Sequence, residues 1–187
     1  ARCPQQRRSD IMDYRFNRAL AAQHASFAEA MRGFQRGGFD NGAYFIDAML
    51  ALVAIEAALA HDRVDVDATA RIRRDVADAL APYGDQVRAY AQVVADQADT
   101  DSDDMLPELC TRRSSLQYLL DEYRDSPAAV AIEPEDVARF DQDLRRLIAE
   151  KGALPAAEVP LGISPSHWWW YPPRDAGAGE GAAEPGM

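Results

Sequence analysis

Residues 41–61 read NGAYFIDAMLALVAIEAALAH, and this stretch decides the fold. It is the most apolar part of the chain and is rich in Ala, the best helix former. At about 100° per residue, Phe45, Met49, Leu52, Val53 and Leu59 gather on one broad apolar face. The core of the stretch, residues 43–60, is about long enough to cross a thin bilayer. It carries Asp47 and Glu56, however, and amphipathic segments surround it. The reading is a buried helix of a bundle, and a membrane partner is not expected. Asp47 falls on the polar side, whereas Glu56 falls in the middle of the apolar face, between Met49, Leu52 and Leu59.

The neighbouring segments have helical periodicity too. Upstream, Phe16, Leu20, Phe27, Met31 and Phe34 recur at spacings of three, four and seven, which predicts a helix over about residues 9–33 capped by Ser9 or Asp10. Gly37 and Gly38 then permit a tight reversal, so the first two helices form an antiparallel hairpin. Downstream, Ile72, Val76, Leu80, Tyr83, Val87, Tyr90 and Val94 form one stripe that runs unbroken through Pro82 and Gly84. Two readings compete. One is a continuous helix kinked at Pro82, where the bond to the Asp78 carbonyl is lost. The other is a Pro-Tyr-Gly turn with a fresh helix capped by Asp85. The unbroken phase favours the kink. The choice bears on Cys3 and Cys110, because a turn would bring them to one end of the bundle and a kink would hold them apart.

A fourth helix is predicted with Pro107 in its first turn and running to about Asp125, with Leu106, Leu109, Cys110, Leu116, Leu120 and Tyr123 on its stripe. A loop follows from Ser126-Pro127. A fifth helix opens at Glu133-Pro134, carries Val137, Phe140, Leu144, Leu147 and Ile148, and closes at Lys151-Gly152. From Ala153 the prolines forbid a long helix, and the Gly/Ala-rich run from Ala176 has the composition of a flexible end. The expectation is an all-α antiparallel up-and-down bundle of five to six helices with an extended Pro/Trp-rich C-terminal arm. Its parts are an N-terminal extension (1–8), the bundle (9–152) and the arm (153–187).

The charge balance excludes one class of partner. Twenty Lys and Arg stand against 31 Asp and Glu, a net charge of −11, so nucleic acid is not expected. The acids alternate with arginines, as on a solvated helical surface. Lys151 is the single lysine, and the Arg/Ala bias reads as a bacterial-like composition. Two cysteines are too few for a disulfide scaffold. Ala1 fits both removal of an initiator Met and a processed exported chain, so the compartment is left open.

The sequence carries no recognisable catalytic or metal-binding motif. The run from Asp99 through Asp101 and Asp103 resembles half of a calcium loop, but Asp104 stands where Gly is needed and Cys110 where Glu is needed. Glu-x-x-His, Cys-x-x-Cys-His, Gly-x-Ser-x-Gly and a glycine-rich phosphate loop are absent. No catalytic residue, metal ligand or cofactor is assigned, and a non-enzymatic role is expected.

Two features stand out. A lone buried carboxylate costs several kcal/mol unless it is paired, so Glu56 needs a partner. Arg113 lies in the middle of the fourth helix's stripe and His24 beside the first, so a Glu56–Arg113 pair with His24 as a second contact is predicted. That cluster is either a structural ion pair or the lining of a small-ligand pocket. The other feature is Trp168-Trp169-Trp170-Tyr171, framed by prolines. Four adjacent aromatics either fold back over a bundle groove or anchor the chain on a partner. The functional expectation is an accessory or assembly subunit that binds a protein partner through helix faces and this arm. The alternatives are a ligand-binding bundle and an acidic inhibitor or immunity-type protein whose acids, including Asp99, Asp101, Asp103 and Asp104, block a basic partner. Oligomeric state is not assigned.

Overall fold

A computed structural model describes residues 19–38, 41–62, 64–99 and 105–171. Several expected features lie outside these residues: the helix start near Ser9, Cys3, the acidic connector with Asp101, Asp103 and Asp104, and the tail from Ala176. The described chain is all-helical, with no strand among the described residues. Its α-helices are α1 (Leu20–Arg36), α2 (Asn41–His61), α3 (Val66–Leu80), α4 (Gly84–Asp99), α5 (Leu106–Glu122), α6 (Pro127–Val130) and α7 (Pro134–Lys151).

The long helices make five antiparallel passes. α1 and α2 form the expected hairpin, closed at its turn by the Phe34–Phe45 ring contact at 5.1 Å between centroids. α3 returns alongside, with Arg73 against Glu56 of α2 and Tyr83 against Phe34 of α1. The chain then does not reverse at Pro82. Ala81–Tyr83 is a single tighter turn, and Leu80, Ala81 and Gly84 all keep right-handed helical dihedrals. Residues 66–99 therefore form one bent rod, in which the missing Pro82 N–H is absorbed by local tightening. α5 runs back along α4, with Tyr90 facing Ser115 and Gln97 facing Arg112. α7 runs parallel to α4, as the pairs Arg88–Glu133 and Asp96–Arg139 indicate.

Local signals account for the ends. Asp65 caps α3 by accepting from the N–H groups of Asp67 at 2.9 Å and Ala68 at 3.3 Å. Pro107 and Pro134 sit in the first turns of α5 and α7, where their missing N–H is no loss. Glu133 precedes α7 but does not cap it; its carboxylate points to Arg88 instead. The segment read as a loop after Ser126 contains the short helix α6, capped by the Ser126 hydroxyl.

Two helices differ from the amphipathic picture. Every residue of α2 from Ala48 to Leu59 is buried, not only one face. By length and composition α2 could cross a membrane, but the bundle itself encloses it. α5 is enclosed in the same way and is polar in its middle: Thr111, Arg112, Arg113, Ser114 and Ser115 are all buried. The irregular segment after α7 completes the enclosure, with Ile163, Trp169 and Trp170 joining the common core.

Candidate functional site

The helix positions in the core hold two polar centres. The first is built on Glu56, 2% exposed. Its carboxylate accepts from Arg73 Nη2 at 2.6 Å, from Arg73 Nε at 3.2 Å and from the Tyr123 hydroxyl at 2.6 Å. Arg73 bridges outward to Glu122. Burial alone would pull the Arg73 guanidinium down, but its bond to Glu56 and the fields of Glu56 and Glu122 outweigh this and hold it above its ordinary value. Burial pushes the Tyr123 hydroxyl up, and the Glu56 charge adds to it. Tyr123 is therefore a neutral donor at any ordinary pH.

The predicted need for a cationic partner at Glu56 is met, but the partner is corrected. Arg73 fills the place expected for Arg113, because α3, following α2 directly, returns along it at the level of Glu56. His24 is half-buried and faces Asp75 at 3.8 Å. Arg113 pairs with Asp141 of α7 at 2.7 Å and 3.2 Å and with Gln117 at 3.1 Å. Glu56, Arg113 and His24 thus belong to three different ion pairs. Signals for the true partners were present in the sequence. Arg73 lies three residues before Val76, on the same stripe, and Asp141 lies between Val137 and Leu144 at spacings of four and three.

The second centre is Ser114, completely buried in mid-α5. Trp169 Nε1 donates to its Oγ at 3.0 Å and Trp170 Nε1 at 2.9 Å, while His167 Nδ1 lies 3.1 Å away. The aromatic run therefore folds back on its own bundle. Both buried indoles reach a side-chain hydroxyl. Trp169 lies under the Arg113 guanidinium at 4.4 Å and stacks on His167 at 4.8 Å; His167 in turn meets the Tyr118 ring at 4.7 Å. Trp168 is half-buried beneath Arg145 at 4.6 Å. Tyr171 is more open, and its hydroxyl donates to the Ile163 carbonyl at 3.3 Å. Trp169 and Trp170, each 2% exposed, are consequently not available to a partner in this conformation. Only Trp168 and Tyr171 retain part of the anchoring surface expected of the run.

Burial forces the remaining groups toward their neutral forms. The Cys110 thiol, a free cysteine that donates to the Trp169 carbonyl at 3.6 Å, is pushed well up. Tyr90, bonded to Ser115 at 3.1 Å, is pushed up to about 12, again chiefly by burial. His167 moves the other way, to about 4, because burial and then the Arg113 charge both oppose a second proton. No group of three or more potential metal ligands occurs among the described residues. Ser114 and His167 have the atoms of a nucleophile–base pair, but both are sealed in the core, and the Ser114 oxygen is occupied by two indole donors. Comparison with family models, with curated proteins and with solved structures finds no match to this chain.

Proposed function

We propose that this chain is a non-enzymatic protein-binding bundle, an accessory or assembly subunit that engages a basic partner through its acidic helix faces. One observation carries this reading: Glu56, Arg113 and Ser114, the groups on which an interior site would be built, are engaged by side chains of the same chain, while the acids face solvent. Asp67, Asp75, Asp78, Asp85 and Asp96 project from the exposed side of the α3–α4 rod. With a net charge of −11, such a surface speeds encounter with a basic protein and repels acidic ones. In this reading the aromatic segment braces the rod's partner helix α5 rather than hooking the other protein.

The test is capture from the native source with the full chain immobilised, at low salt and at about 0.5 M salt, where exposed charges are screened beyond a few ångströms. A stoichiometric basic protein should be retained at low salt and released at high salt. Asp75→Lys combined with Asp78→Lys should weaken its retention. Absence of any stoichiometric partner, or a partner indifferent to both salt and the reversed acids, would sink the reading.

A further inference from the structure

We propose that the C-terminal segment is held on the bundle by a proton-operated latch, in which the Ser114 hydroxyl keeps its three nitrogen partners only while the His167 ring is neutral. A serine hydroxyl has one hydrogen and two lone pairs, and an indole N–H can only donate. Trp169 at 3.0 Å and Trp170 at 2.9 Å therefore take both lone pairs of Ser114 Oγ. Its one hydrogen must then point at His167 Nδ1, 3.1 Å away. The neutral ring consequently carries its hydrogen on Nε2.

Protonation would place an N–H on Nδ1, aimed at an oxygen with no lone pair left to accept it. One of the three bonds must break. The new charge would also have no outlet on its other side, since His167 Nε2 is buried and meets no acceptor among the described residues. The charged and titratable groups around the ring add to the conflict. From α5, the Arg113 cation opposes a second charge, the more exposed Asp121 favours it weakly, and Tyr118 presents its ring. From α7, Asp141 is already engaged by Arg113, and Arg145 covers Trp168. From α2, Glu56 acts on Tyr118 and is engaged by Arg73. Among the described residues no carboxylate is bonded to the imidazole.

The sign follows. His167 takes its proton at about 4 when docked, against an ordinary 6.5 when released. Docking is thus fully favoured above about pH 6.5 and loses strength as the pH falls through 4, by about 300-fold once the pH is well below 4. The latch does not depend on the proposed partner-binding role.

The molecule carries its own probe, because all three tryptophans, Trp168, Trp169 and Trp170, lie in the latched segment. Urea titrations followed by tryptophan emission, at several values between about pH 7 and about pH 4.5, measure docking directly. The wild-type midpoint should fall across this range. His167→Asn offers an acceptor near the position of Nδ1 but cannot titrate, so it should lose less over the same range. Carboxylate titration is common to both proteins and cancels in the comparison. Equal losses in the two, or no loss in the wild type, would overturn the latch. If the variant does not fold, the wild-type histidine spectra decide. One of the three imidazoles should titrate near 4 and show the Nε2–H tautomer at neutral pH. Three ordinary titrations, or an Nδ1–H tautomer on His167, would overturn the proposal.

Discussion

At the scale of single residues, stability rests on a few buried polar atoms with definite obligations. Glu56 holds two partners from different helices, so truncating it leaves both Arg73 and Tyr123 without their acceptor. Glu56→Ala should destabilise the protein by about 3–5 kcal/mol, and Tyr123→Phe, which removes one donor only, by about 1.5–3 kcal/mol. Chemical denaturation of the two single variants and the double variant should give a cost well below the sum. Strict additivity would mean that the two side chains do not share one interaction. Ser114→Ala strands two indole donors in the core at about 1–3 kcal/mol each. It should lower the denaturant midpoint while the far-ultraviolet helical signal at neutral pH persists. The need for a partner at Glu56 could be read from its place among Met49, Leu52 and Leu59. Its identity could not. Arg73, Arg113 and other arginines all lie on or near apolar stripes, and only the crossing of the helices selects among them.

At the scale of elements, the helices were legible because their apolar periodicity is local. At Pro82 the unbroken phase favours a continuous helix without excluding a turn, and the helical dihedrals on both sides of Ala81–Tyr83 decide for continuity. The segment after α7 was legible only as non-helical. Its docking depends on Gly162, which has φ +82° and lies so close to α2 that an added Cβ would fall 2.0 Å from the Ala57 carbonyl oxygen. Gly162→Ala combines a left-handed backbone penalty with a backbone clash, and should cost about 3 kcal/mol or more while shifting tryptophan emission to the red. Gly152 also has a positive φ, +89°, but nothing lies within 4 Å of its missing Cβ. Gly152→Ala should therefore cost only the backbone term, about 1–2 kcal/mol. Equal costs for the two would show that the contact with Ala57 carries no weight. In the sequence the two glycines look alike; what separates them is a helix about a hundred residues away.

At the scale of the whole molecule, a net charge of −11 is spread over a bundle whose exposed ion pairs, such as Arg139–Asp96 at 3.1 Å, contribute little each. Self-repulsion should then outweigh them. The thermal midpoint is expected to rise between low salt and about 0.5 M sodium chloride, as screening relieves the repulsion; a fall would mean that the surface pairs dominate. The sequence by itself determined the all-α class, the hairpin of α1 and α2 and the burial of Glu56, and it favoured a continuous helix over a turn at Pro82. Each follows from composition and from a periodicity of three to four residues, which acts between neighbours along the chain. Only the tertiary structure decided that Arg73 neutralises Glu56, that Arg113 serves Asp141 and Trp169, and that the tryptophans turn inward to Ser114. Those choices depend on the relative heights and rotations of packed helices. They are set by contacts between residues far apart in sequence, for which a single chain carries no local periodic signal.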